Sequence, residues 1–160
     1  MNAPLYVIDT HALVRYVKGS VSQLGMDYFV SMSHPRARIV IPSYVFTEVQ
    51  QQFTSKMDSK KNSIRVPPTP LLRLAGHCSN VRILPRGPAS LAWEFRLKRD
   101  QRANGIPDQD IPIAAAVMVA RQYYGGAVAL ITRDGLLVKW ASSAGVPIIW
   151  NQWPFQLLPR

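Results

Sequence analysis

The chain has 160 residues, of which 48% are hydrophobic and 18% are charged. This composition is typical of a globular protein and argues against disorder, and the length fits one domain spanning residues 1–160. The longest uninterrupted apolar run, Ile113–Ala120, is much shorter than the ~20 residues that cross a bilayer. No secretory signal precedes the first strand-like segment, and one cysteine, Cys78, fits a reducing compartment. We therefore expect a cytoplasmic protein without a membrane partner.

The charge balance indicates a polyanionic partner. The chain carries 19 Lys and Arg against nine Asp and Glu, which gives a formal net charge of +10 at pH 7. Because no amphipathic anchor for a membrane surface is evident, this excess favours nucleic acid. The basic runs around 56–65 and 96–102 are either phosphate-binding surfaces or solvated faces, and the sequence leaves both readings open.

Short apolar runs alternate with helical patterns along the chain. The runs that predict strands are LYVID, ARIVIP, NVRIL, AVALIT and VPIIW, at 5–9, 37–42, 80–84, 127–132 and 146–150. Helical patterns occupy 10–19, 21–32, 43–53, 87–102, the alanine-rich stretch after Asp110, and 135–145. Strands that are apolar throughout are buried on both faces, so we expect a parallel sheet with helices on each side. Residues 55–70 are basic and then proline-rich, which predicts an exposed loop or insertion within the domain.

Five of the nine acidic residues fall where an open parallel sheet binds ligands, outside the carboxyl ends of its strands. Asp9 ends the first strand, and Asp134 lies two residues beyond the fourth. Asp108 and Asp110 open the helix that leads into the fourth strand, and Glu48 lies on the helix after the second. The remaining acids are interpreted as surface charges: Asp27, Asp58, Glu94 and Asp100.

Converging carboxylates repel one another unless a cation lies among them. Oxygen ligands favour a hard divalent ion, Mg²⁺ or Mn²⁺, and no histidine–cysteine spacing indicates zinc. A metal held by carboxylates in a basic protein favours hydrolysis of phosphodiester bonds, in which a metal-activated water attacks phosphorus. Lys and Arg would then hold the nucleic-acid backbone.

Four short motifs, in order and nearly end to end, resemble the PIN-domain nucleases and in particular the VapC-type toxins of toxin–antitoxin modules. They are IDTHALV, the glutamate of PSYVFTEVQQQF, D-x-x-IAAA in DIPIAAAVMVA, and LITRD followed by GVPIIW. The resemblance implies a three-layer α/β/α fold with a central, mostly parallel five-stranded sheet. It further implies endoribonuclease activity that depends on Mg²⁺ or Mn²⁺, and a homodimer held inactive by a cognate antitoxin. By position, the acidic quartet of catalytic and metal-binding residues is Asp9, Glu48, Asp110 and Asp134, and Thr132 is the small hydroxyl residue beside it.

Asp108 and Asp110 are expected to have separate roles. Two residues correspond to about 200° of helical rotation, so the two side chains cannot share a helix face. Asp110 keeps the motif spacing and is the predicted metal ligand, whereas Asp108 is predicted to cap a helix that begins close to it. Pro112 is tolerated only in or near the first helical turn, which fits that start.

Three further residues are secondary candidates for the site. Thr10 and His11 directly follow Asp9, and His11 is either a site residue or an ordinary helical histidine. Arg133, next to Asp134, is placed to contact a phosphate, and Asp134 could be a ligand, a helix cap or both. A non-catalytic RNA-binding or scaffolding module with the same fold is the alternative to a nuclease.

Overall fold

Five parallel strands form the centre of the protein, for which the computed structural model describes residues 5–17, 38–54, 81–125 and 127–149. The strands are β1 (Leu5–Ile8), β2 (Arg38–Pro42), β3 (Val81–Leu84), β4 (Val128–Ile131) and β5 (Ile148–Ile149). They pair in the order β3-β2-β1-β4-β5, and all four pairings are parallel. The predicted α/β fold with a five-stranded parallel sheet is therefore confirmed, and every strand lies within its predicted segment.

Helices connect these strands. They are α1 (Thr10–Val17), α2 (Ser43–Thr54), α3 (Pro88–Arg99), α4 (Gln101–Asn104), α5 (Ile111–Tyr124) and α6 (Gly135–Ser143). A short 3-10 helix, Asp108–Asp110, directly precedes α5. The single helix expected at 87–102 is divided at Asp100. The predictions for 21–32, for 55–70 and for Cys78 fall outside the described residues, and none of the described helices is long and apolar enough to cross a membrane.

The core lies between the central strands and α5. All four residues of β1 and all four of β4 are buried. Helix α5 contacts β1, β2 and β4, and its buried side chains include the small residues Ala114, Ala115 and Ala120. Small side chains let a helix backbone approach a sheet closely at normal packing density. This contact fixes the start of α5, and with it Asp110, near the carboxyl ends of the strands.

Strand β3 departs from the expectation of burial on both faces. Its Val81 is buried, but Arg82 and Ile83 are exposed. The physical reason is position: among the described strands β3 lies at the edge of the sheet and pairs with β2 alone. An apolar run in the sequence does not distinguish an edge strand from a central one.

Two isoleucines in strands provide a test of this difference. Ile131 in β4 is 0% exposed and Ile83 in β3 is 40% exposed. We expect Ile131→Ala to lower the free energy of unfolding by about 2–5 kcal/mol through lost burial and a cavity. Ile83→Ala should cost less than about 1 kcal/mol. Urea unfolding of both variants measures this, and equal losses would contradict the assignment of β3 as the edge.

Candidate active site

The candidate site lies at the carboxyl ends of β1 and β4, which are neighbours in the sheet. Asp9 follows β1 and is 2% exposed, and its backbone N–H donates to the carbonyl oxygen of Ile131 at 3.0 Å. Thr132 and Asp134 follow β4. The strand order therefore brings together two chain segments that are more than 120 residues apart in sequence.

The carboxylate of Asp9 is held by two short hydrogen bonds. Its Oδ1 accepts from the backbone N–H of Thr10 and its Oδ2 accepts from the hydroxyl of Thr132, both at 2.6 Å. Burial raises the pKa of Asp9 above its ordinary value, and the hydrogen bonds from Thr132 and Thr10 oppose that rise. Asp9 is thus fixed in orientation on both of its oxygens.

Each threonine also connects Asp9 to a second acid. The hydroxyl of Thr10 donates to Oε2 of Glu48 at 2.6 Å, which ties α1 to α2. The hydroxyl of Thr132 accepts from the backbone N–H of Asp134 at 3.1 Å. Three of the four predicted acids are therefore joined through two threonines, both of which are buried.

Asp134 caps helix α6. Its Oδ1 accepts from the backbone N–H groups of Leu136 and Leu137, each at 3.0 Å. The capping role that the sequence left open is therefore confirmed. The cap also fixes the position of the carboxylate, and its role as a ligand stays a prediction.

The carboxyl of Asp110 has a strongly raised pKa. Burial first, and then the charges of Asp134, Asp9 and Glu48, raise its pKa to about 6. Its Oδ2 is buried and has no hydrogen-bond partner among the described residues. A carboxylate oxygen that is buried, unpartnered and surrounded by like charge is costly, and a bound cation would remove that cost.

The four carboxylates are close enough for their charges to act on one another, but their oxygens are not arranged to coordinate one metal ion directly. Across 5–17, 38–54, 81–125 and 127–149, no three His, Cys, Asp or Glu side chains are arranged to hold a metal ion directly. The donor set, which consists entirely of carboxylate oxygens, still fits a hard divalent cation. To bind it, the side chains would have to close around the ion.

The predicted capping role of Asp108 is wrong. Its side chain is exposed, forms an ion pair with Lys98 at 3.1 Å and accepts from Gln101 Nε2 at 2.7 Å. The hydrogen bond from Gln101 and the charge of Lys98 lower its pKa. The 3-10 turn over Asp108–Asp110 moves the start of the α-helix to Ile111, beyond the reach of an Asp108 cap. The two aspartates do have separate environments, as their spacing predicted.

The remaining predicted residues lie at the edge of the site. Pro112 falls in the first turn of α5, as expected. The side chain of His11 is exposed, and its charge acts to lower the pKa of Asp9. Arg133 is also exposed, next to the cap residue Asp134. These positions place both side chains near the carboxylates without assigning them a role.

Two residues with strong contacts were not singled out as site residues from the sequence. Glu94, interpreted as a surface charge, is 8% exposed and accepts two hydrogen bonds from Arg86, at 2.9 and 2.7 Å. Tyr44 lies one helical turn before Glu48 on α2, and burial first and then the charges of Glu48 and Asp110 raise its pKa. No pattern in the sequence indicated the ion pair, because Arg86 lies in the loop after β3 and Glu94 lies on α3, and periodicity does not relate residues of different elements.

Comparison with solved structures gives the class of fold. A chain of VapBC2 from Rickettsia felis, solved bound to a DNA fragment from its promoter, matches with a TM-score of 0.61 at 15% identity, over 91% of this chain and 98% of that one. A chain of FitAB bound to an IR36 DNA fragment matches with a TM-score of 0.60 at 17% identity, over 97% and 99%. FitAcB from Neisseria gonorrhoeae gives 0.57 at 18% identity, over 94% and 99%. No protein-family model and no curated protein matches the chain.

The protein therefore has the fold of the VapBC and FitAB chains, and the resemblance to VapC-type PIN-domain proteins is confirmed at the level of the fold. Identities of 15–18% do not carry activity or partners from those proteins to this one.

Asp110→Asn should stabilise the metal-free protein at neutral pH. With a pKa of about 6 in the folded state against about 3.8 when unfolded, the carboxyl keeps its proton longer in the folded chain. Stability should therefore fall as pH rises from about 4 to about 6, and stay low above that. The uncharged amide avoids this loss, which we expect to be about 1–2 kcal/mol at pH 7 after solvent screening.

The measurement is urea unfolding in EDTA at pH 7 and pH 4. The gain from Asp110→Asn should be present at pH 7 and vanish at pH 4, where the wild-type carboxyl is protonated. Asp108→Asn is the matched control and should give no gain, because Asp108 is exposed and already paired with Lys98. A loss of stability for Asp110→Asn at pH 7 would contradict the electrostatic account.

Proposed function

We propose that the protein is an endoribonuclease that hydrolyses RNA phosphodiester bonds with Mg²⁺ or Mn²⁺. The observation that supports this most directly is the buried Oδ2 of Asp110, which no group in the described part of the chain hydrogen-bonds and on which three other carboxylates act. A divalent cation would give that oxygen a partner and neutralise the repulsion. The proposed ligands are Asp9, Glu48, Asp110 and Asp134.

Each acid has a place in this chemistry. When bound, a divalent cation supplies Lewis acidity that polarises the phosphodiester and makes water a stronger nucleophile at neutral pH. Thr10 and Thr132 hold Asp9 and Glu48 in fixed orientations, as supporting groups do in metal sites. Asp134, fixed by its cap of α6, is a ligand or orients the attacking water. The net charge of +10 favours the approach of RNA over long distances.

We further propose that the protein is the toxin of a toxin–antitoxin pair and that it forms a homodimer. In support, the structures it resembles are named as VapBC and FitAB complexes, and they cover 91–97% of this chain in the matches above. The same coverage supports one domain across 1–160. A small reading frame beside the gene, whose product co-purifies with this protein and suppresses RNA cleavage, would support the pairing.

Cleavage of RNA by the purified protein tests the proposed activity. We expect cleavage with Mg²⁺ or Mn²⁺, none with EDTA, and a loss of at least about 100-fold in Asp9→Asn and in Asp110→Asn. Asp108→Asn should keep most of the activity, because its side chain is directed to Lys98 and Gln101. Cleavage that persists in EDTA and in Asp9→Asn would rule the mechanism out. Tight RNA binding without cleavage in either metal would instead favour the non-catalytic RNA-binding module.

The hydroxyl of Thr132 should matter more than its methyl group. Thr132→Val removes the donor to Asp9 and the acceptor for the N–H of Asp134 while keeping nearly the same volume. We expect the rate constant for cleavage to fall by about 10–100-fold, as when a group that orients a metal ligand is lost. Thr132→Ser, which keeps the hydroxyl, should recover most of the rate. Equal rates for the two variants would show that the hydroxyl does not position Asp9.

A further inference from the structure

Next to the acidic site, the loop between β3 and α3 presents an arginine that is held in place. Nε and Nη2 of Arg86 donate to the two carboxylate oxygens of Glu94, at 2.9 and 2.7 Å. The backbone N–H of Arg86 donates to the hydroxyl of Ser43 at 3.1 Å, which fixes the loop against the start of α2. The Glu94 side chain is 10% exposed and the Arg86 side chain is 50% exposed. The carboxylate is therefore the buried member of the pair and the guanidinium is the one that meets solvent.

This arginine faces a surface depression that borders the acids. Tyr44, Arg86 and Pro112 line the depression, together with main-chain and side-chain atoms of β2, β3 and α5. Pro112 is two residues from Asp110, and Tyr44 is one helical turn before Glu48, on the same face of α2. The charges of Glu48, Asp110 and Arg86 all act on the Tyr44 hydroxyl. Two residues that line the depression, Tyr44 and Pro112, are thus near Glu48 and Asp110 in their own helices.

The geometry of the pair leaves one edge of the guanidinium available. Glu94 uses Nε and Nη2, and no contact within the described residues uses Nη1 of Arg86. An arginine already oriented by a carboxylate loses less side-chain entropy when it binds a second anion. The guanidinium of Arg86 is half-exposed, and an ion pair with one partner in solvent adds little stability, so stability alone gives little reason for this arrangement beside the site.

We propose that Arg86 and the hydroxyl of Tyr44 form a subsite for a phosphate of single-stranded RNA, one that neighbours the phosphodiester at the acidic site. Glu94 is the positioning residue that holds Arg86 toward this subsite. The inference rests on the proposed ribonuclease function and adds where the strand is held. It defines the path of the RNA strand across the site, from the acids past Tyr44 to the β3–α3 loop.

RNA binding without cleavage tests the subsite separately from the nuclease activity. In an Asp9→Asn background, a short fluorescein-labelled single-stranded RNA is titrated by fluorescence anisotropy at several salt concentrations. Arg86→Ala should weaken binding by about 10-fold and reduce the salt dependence by about one phosphate contact. Glu94→Gln should weaken binding less, because the arginine remains but is no longer held by a charge.

Arg121→Ala is the matched control. Arg121 is an exposed arginine in the last turn of α5, eleven residues after Asp110 and so about 16 Å away along the helix. It also donates to a backbone carbonyl, that of Ala144, and its loss removes the same charge as Arg86→Ala. We expect it to change RNA affinity by less than about 2-fold.

Equal weakening by Arg86→Ala and Arg121→Ala would overturn the subsite in favour of general charge attraction. If Arg86→Ala lowers stability in urea but leaves RNA affinity unchanged, the Arg86–Glu94 pair stabilises the fold and does not bind RNA. If Arg86→Ala does not fold, Arg86→Lys and Tyr44→Phe replace it, and unchanged affinity in both would overturn the proposal.

Arg86-dependent binding by a protein that never cleaves RNA would keep the subsite and reject the nuclease. In an active protein, Arg86→Ala should raise KM with little change in kcat.

Discussion

At the end of the central strand β1, a carboxylate that is 2% exposed receives two hydrogen bonds of 2.6 Å, one from the chain that follows it and one from the end of β4. An ionised carboxylate this deeply buried is stable only with strong donors. Asp9 obtains the donor from Thr132 because β1 pairs with β4 in register, so that Ile8 lies opposite Ile131 and Thr132 follows at the same level as Asp9. A slip of one residue in this pairing would remove the Thr132 hydroxyl from Asp9. The site and the sheet register therefore depend on each other.

The same geometry lowers the stability of the folded protein, because it brings carboxylates close together. Asp110, Asp134 and Glu48 add charge around Asp9, and burial first and then this repulsion raise the pKa of Asp110. The cost is offset elsewhere, by two strands that are buried throughout and by an alanine-rich α5 that packs closely on them. Such a division between a stable scaffold and a destabilised site is common where function requires a strained arrangement.

The sequence predicted the positions of the strands better than the order in which they pair and the contacts between side chains. Apolar runs located all five strands, and acids at strand ends identified side chains that lie together, since parallel strands end at one edge. It did not predict the strand order or the edge position of β3, because hydrophobic pattern carries no information on which strand pairs with which. The helix start near Asp108 was misplaced because a 3-10 turn has no distinct pattern. Glu94 was read as a surface charge because its partner Arg86 lies across a loop, where neither helical nor strand spacing relates them.

The charges around the site form an inner zone, the carboxylates, and an outer zone, the guanidinium of Arg86 beside them. In the proposed function, RNA would pass the outer zone to reach the inner one. A phosphodiester approaching Asp9, Asp110 and Asp134 meets a field of its own sign, and the excess of Lys and Arg over the whole chain attracts the polymer without aligning it. Alignment requires a positive group with a fixed direction near the acids. Arg86 is such a group, because the largely buried carboxylate of Glu94 holds it beside the acidic site. In the proposed function, a cation would neutralise the repulsion among the acids and Arg86 would hold the strand beside them. The two positive groups would then act on neighbouring phosphates and would not compete for one.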